Sequence, residues 1–172
     1  MKSTYAFLPH ADRRVARRSG PDRRKTVRLF NYWQRLRGSD RRLVWTPGFL
    51  AGIPDLKPYC LVRSVIGQRP ASGFEYMGAH FSQQLSCFGG ERSTSAFPAA
   101  VIMGELSELG RDIAQHTAGI FVADEFKNLK NDNIRARRLV LPFSAATPDH
   151  HVWLGLGSWT VTPADTEAGA AA

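Results

Sequence analysis

The sequence predicts an α+β fold: a five-stranded antiparallel sheet with helices on one face, preceded by an amphipathic N-terminal helix. Three observations carry this prediction. Segments rich in apolar and β-branched residues at 59–66, 74–80, 119–126, 135–144 and 152–162 are separated by Gly, Pro and Asn turns. A long helical period, Ala99, Ile102, Met103, Leu106, Leu109 and Ile113, falls between the second and third of them. A shorter period, Leu29, Phe30, Trp33 and Leu36, opens the patterned part of the chain.

The elements follow in order. Residues 1–25 have no apolar period and are expected to form a loose Arg-rich arm, because such a stretch buries too little surface to offset its chain entropy. Thr26 is a suitable N-cap and Gly38 a suitable stop, so the first helix is expected over residues 26–37. Residues 39–58 carry Pro47, Gly48, Gly52, Pro54 and Pro58 and read as an ordered connection with one helical turn. The first two strands pair as a hairpin through a turn at Gly67–Gly73. Pro98 suits the first turn of the central helix, whose other face carries Glu105, Glu108, Arg111 and Asp112. Strand follows strand from residue 119 onward through short polar turns, which implies antiparallel neighbours. Residues 26–162 are thus expected to form one domain, and 163–172 a loose tail.

The net charge of +8 is unevenly placed. The first 28 residues hold nine basic and two acidic side chains, so +7 of the total sits there and the remainder is nearly neutral. Arg13, Arg14, Arg17, Arg18, Arg23 and Arg24 make this arm a candidate anion-binding element, since guanidinium groups pair bidentately with phosphates. No apolar run approaches the 18 to 20 residues of a membrane helix, and the N-terminal apolar stretch is too short for a signal peptide. A cytoplasmic protein without a membrane partner is expected. Cys60 and Cys87 have no metal or redox spacing and read as reduced, packed thiols.

Several segments resemble a bacterial PAS-domain family of alphaproteobacterial type. They are Tyr32-Trp33-Gln34-Arg35-Leu36-Arg37-Gly38, Ile53-Pro54-Asp55-Leu56-Lys57-Pro58, Phe74-Glu75-Tyr76-Met77-Gly78, Arg138-Leu139-Val140-Leu141-Pro142-Phe143-Ser144 and Trp153-Leu154-Gly155. The resemblance covers about residues 27–162 and departs from the family pattern around residues 82–96. It implies a PAS-like sheet and a sensory or regulatory module working through ligand- or partner-dependent protein–protein interaction. Tyr76, His80, Phe81, Phe121 and Trp153 are then candidate residues of a small-molecule pocket. Leu29, Phe30, Trp33 and Leu36 are candidates for an interface with a protein partner or a second copy in a homodimer.

No catalytic motif stands in the sequence, and no enzyme activity is expected. No cofactor is indicated. Gly155-Leu156-Gly157 lies in an expected strand and opens no helix, so it is not a phosphate loop. His150 and His151 are adjacent beside Asp149 in an expected turn and chelate one metal poorly. His80 closes the second strand and His116 caps the central helix. The alternative function is a nucleotide or nucleic-acid binder acting through the arm.

Overall fold

The computed structural model describes residues 4–7, 21–39, 42–67, 69–86, 98–113, 116–127, 133–147 and 149–162. Their order is β1 (Thr4–Phe7), α1 (Pro21–Arg37), β2 (Leu43–Val44), α2 (Gly48–Ala51), a 3-10 turn at Lys57–Tyr59, β3 (Cys60–Ile66), β4 (Arg69–Pro70), β5 (Tyr76–Met77), α3 (Ala79–Ser86), α4 (Pro98–Ile113), β6 (Ile120–Lys127), β7 (Asn133–Ser144) and β8 (His150–Thr162).

The fold is α+β, and one sheet organises it. Its strands run β1-β6-β7-β8-β3-β4, with β5 also on β3 and β2 on β7. The long central ladder is β7 against β8, with Leu139 opposite Leu156 and Leu141 opposite Leu154. β3 pairs with the other edge of β8, so the first long strand lies beside the last. Every pairing is antiparallel except β2 with β7. That exception has a local cause. The β6 ladder on β7 ends at Val140, and Leu43 and Val44 take up the vacated edge at Phe143 and Ser144. The sheet is therefore mixed and has more than the five antiparallel strands expected.

Alternation assigns side chains to two faces. Cys60, Val62, Leu139, Leu141, Phe143, Val152, Leu154 and Leu156 join Leu29, Phe30 and Trp33 of α1 and Phe49, Leu50, Ile53 and Leu56 of the connection. Leu61, Val65, Ile120, Val122, Ala136, Val140 and Trp153 join Phe81 of α3 and Ala99, Ile102, Leu106 and Ile113 of α4. Both faces are covered, which corrects the expectation of helices on one face. The reason is legible in burial: β7 is buried continuously from Arg138 to Phe143 and β8 from Val152 to Ser158, with no polar face left for solvent.

Three boundaries also differ from expectation. Helix α1 begins at Pro21, a residue preorganised for a first turn, and Thr26 is buried within it rather than capping it. Thr4–Phe7, inside the stretch expected to be loose, pairs with β6 from Ala123 to Ile120, because a sheet edge offers backbone partners to any extended segment. The second strand is shortened to β5, the expected turn contains the short strand β4, and the expected last residue of the second strand, His80, belongs to α3. The chain turns at Gly78, where a Cβ would lie 2.2 Å from the Pro58 carbonyl oxygen.

Candidate functional site

The segment after α1 folds back along the helix and leaves a cleft of about 440 Å³. Arg28, Asn31, Tyr32 and Arg35 line it from α1, and Gly52, Ile53, Asp55 and Leu56 from the connection. Spacings of three, four and seven residues put the four α1 side chains on one helix face. The opposite face of α1, with Leu29 and Trp33, is fully buried on the sheet. Amphipathicity thus orients the helix and leaves its polar side as one wall of the cleft. The Ile53 and Leu56 side chains dock inward and hold the other wall. Gly52 permits the close approach, since a Cβ there would collide with the Tyr32 hydroxyl. The Tyr32 ring stands edge-on to Phe49, 4.9 Å between centroids.

Charge in the cleft is net positive. Arg28 Nη1 lies 2.6 Å from Asp55 Oδ2, with both side chains more than half exposed. The Arg35 guanidinium carbon lies 5.4 Å from the Tyr32 ring centroid, a cation–π distance. A further cation–π contact sits one turn before Arg28, where Lys25 Nζ is 3.8 Å from the Tyr59 ring centroid.

A second polar cluster lies between α4 and the sheet. The Arg138 guanidinium is buried and makes ion pairs with Glu105 of α4 and Asp124 of β6. Burial pushes the Asp124 carboxyl above the ordinary carboxylate range. The sequence does carry a signal for this cluster. Arg138 interrupts the apolar row Ala136, Val140, and Asp124 interrupts the row Ile120, Val122, Phe126. A charge in an apolar row of a covered strand requires a buried partner.

A third cluster joins β3, β8 and the segment before β5. His150 Nε2 is 2.7 Å from Ser64 Oγ, and Ser64 Oγ donates to Glu75 Oε1. Ser64 has one hydroxyl hydrogen. With that hydrogen on Glu75, the Ser64 oxygen accepts from a protonated Nε2 of His150. The neighbouring His151 takes another direction, with Nδ1 3.0 Å from Arg42 Nη1. Burial and the Arg42 charge hold His151 below the ordinary histidine pKa. The two histidines open β8 rather than lie in a turn, and strand alternation separates their side chains. No periodicity in the sequence brings Ser64, Glu75 and His150 together; the β3–β8 register does.

The residues expected to line a ligand pocket do not converge. Tyr76 and Phe121 pack against the α1 side of the sheet, and Phe81 and Trp153 belong to the α4 side. His80 stacks between Tyr59 and Trp159, with centroids 4.7 and 4.5 Å away. The sheet itself separates the set. Between α4 and the sheet the space is filled with side chains. A Cβ on Gly157 would lie 2.8 Å from both Ile102 and Phe81, and one on Gly110 would lie 2.3 Å from the Trp153 indole.

The expected interface is also corrected. Leu29, Phe30 and Trp33 are 0 %, 7 % and 0 % exposed, so they belong to the chain's own core, and only Leu36 remains open. Arg13, Arg14, Arg17 and Arg18 lie outside the described residues, and Arg23 and Arg24 fall in the first turn of α1. Cys60 is buried, donates to the Leu56 carbonyl at 3.3 Å, and has its thiol pKa pushed up by burial. Cys87 lies outside the described residues. Among the described residues, no group of three or more His, Cys, Asp or Glu is placed to hold a metal ion. No described helix is long and apolar enough to cross a membrane.

Comparison with protein-family models, with curated proteins and with solved structures gives no match for this chain.

Proposed function

We propose that this chain is a PAS-like regulatory module, which responds to a ligand or protein partner by changing its own contacts rather than by catalysis. The observation that carries the reading is the strand arrangement. β3 with its partners β4 and β5, then two helices, then three long strands follow in the chain, and the last strand, β8, lies in the middle of the sheet beside β3. This is the order that the sequence resemblance implies. The working element is α1, which is anchored by one apolar face and presents a charged cleft on the other. A binder that prefers α1 docked, or undocked, shifts that equilibrium by its difference in affinity for the two states.

The Ser64–His150 contact does not favour catalysis. The Ser64 residue is 4 % exposed and its hydroxyl is committed to Glu75. A nucleophile needs a base to receive its proton and an open approach for substrate.

The test is native mass spectrometry of the full chain purified from its own host without denaturation, followed by hydrogen exchange. A non-covalent binder whose removal changes exchange in α1 and residues 48–59 supports the reading. A bare chain that turns over a substrate, with exchange in α1 unmoved by host extract, refutes it.

A second reading, a nucleotide or nucleic-acid binder using the Arg-rich arm, is favoured by the continuation of basic residues through Arg23, Arg24, Lys25 and Arg28 into α1.

A further inference from the structure

We infer that the cleft between α1 and residues 52–56 is a binding site for a nucleoside phosphate, with the phosphate held by Arg28 and Arg35. The inference rests on the geometry of the cleft and stands independently of the PAS-like reading.

The two arginines are seven residues apart, about 10.5 Å along the helix axis, too far for one phosphate if both side chains stood straight out. They do not. The Arg35 guanidinium lies over the ring of Tyr32, one turn back toward Arg28. Asn31 sits between the two and lines the same cleft. Two guanidinium groups and a carboxamide therefore line one cleft.

Asp55 sets the character of the site. Its Oδ2 lies 2.6 Å from Arg28 Nη1. A guanidinium has five N–H donors, more than one carboxylate can use, which leaves capacity for a phosphate oxygen. The pair is exposed, and an exposed pair exchanges partners at little cost. Its carboxylate then also supplies an acceptor inside a positive cleft, suited to a ribose hydroxyl or an exocyclic amine. Tyr32 adds an aromatic surface, and the volume of about 440 Å³ lies within the range of small-molecule sites. Phosphate donors, a nearby acceptor and an aromatic ring match the three parts of a nucleotide. The Lys25 ammonium, one turn before Arg28, adds to the positive field.

The experiment uses the full chain and its Arg35→Glu and Arg28→Gln variants, with helix content and melting temperature measured for each. Titrations by calorimetry use AMP, GMP, ribose 5-phosphate, adenosine, inorganic phosphate and a 12-nucleotide single-stranded RNA. The expected result is millimolar or tighter binding of a nucleoside monophosphate. Binding weakens at least about tenfold in Arg35→Glu with the melt unchanged, since a charge-assisted hydrogen bond accounts for that factor or more. Adenosine and inorganic phosphate each bind at least about tenfold more weakly. The inference is overturned if no monophosphate binds at millimolar concentration, or if Arg35→Glu binds as the parent does. It also fails if inorganic phosphate or ribose 5-phosphate binds as well as AMP and GMP do, or if only the RNA binds. If Arg35→Glu loses its fold, Arg28→Gln with an intact melt decides the matter by the same criteria.

Discussion

Replacing Arg138 with Met tests whether the ion triad under α4 holds the fold together. Arg138 is 1 % exposed and bridges two elements, carrying Glu105 of α4 on one side and Asp124 of β6 on the other. Methionine keeps most of the side-chain volume, so the cavity contribution is small and the loss is electrostatic. Removing one partner of a buried ion pair costs about 3–5 kcal/mol, because a charge is left without compensation. The two carboxylates are not equally trapped. The Glu105 side chain is 37 % exposed and can turn to water, whereas that of Asp124 is 16 % exposed. The expected cost at neutral pH is therefore at the lower end, about 3 kcal/mol. Its pH dependence identifies the cause. Asp124 already has its pKa raised by burial, and loss of the guanidinium raises it further. A carboxyl with a raised folded-state pKa contributes stability at low pH and loses it as pH rises through that pKa. The variant should thus fall furthest below the parent at neutral pH and recover part of the difference toward pH 4–5. Urea unfolding of parent, Arg138→Met and Arg138→Met/Asp124→Asn at both pH values measures this. The double variant should be more stable than the single one at neutral pH. A deficit below about 1 kcal/mol, or one equal at both pH values, refutes the reasoning.

Other expectations follow from particular contacts. Trp33→Ala should cost about 3–5 kcal/mol in urea unfolding with no change of mass by light scattering; a halved mass with an intact fold would restore the interface role. Gly78→Ala should cost at least about 1–3 kcal/mol, because a Cβ meets the Pro58 backbone, whereas Gly73→Ala, with nothing within 4 Å, should stay within about 0.5 kcal/mol. His151 has a lowered pKa, so it contributes stability that is present above the ordinary histidine range and lost as pH falls through it. His151→Asn should accordingly flatten the decline of the urea midpoint between pH 7.5 and 5.5. In a Cys87→Ser background, Cys60 should react with a thiol reagent only at the rate of unfolding, and fast labelling of the native chain would contradict its burial.

Periodicity alone determined the existence and type of the long elements. The Ala99–Ile113 period places α4 correctly at Pro98–Ile113, and the strands at β3, β6, β7 and β8 fall within two residues of their expected bounds. Those segments are long or strongly patterned, so local chemistry suffices. It does not suffice for β1 and β2, which are short and exist because β6 and β7 leave edges for them. Nor could it say which surface α1 covers: an apolar stripe of Leu29, Phe30 and Trp33 reads the same whether it meets its own sheet or a second copy. The sheet decided, because both faces of β7 and β8 are apolar and both must be covered. The sites divide in the same way. Arg138 and Asp124 were legible as charges in apolar rows, since strand parity is a property of sequence. Ser64, Glu75 and His150 were not, since strand register joins them. The cleft of Arg28 and Arg35 lies between: helical spacing put its residues on one face, and only the return of Gly52–Leu56 against that face made it a cleft.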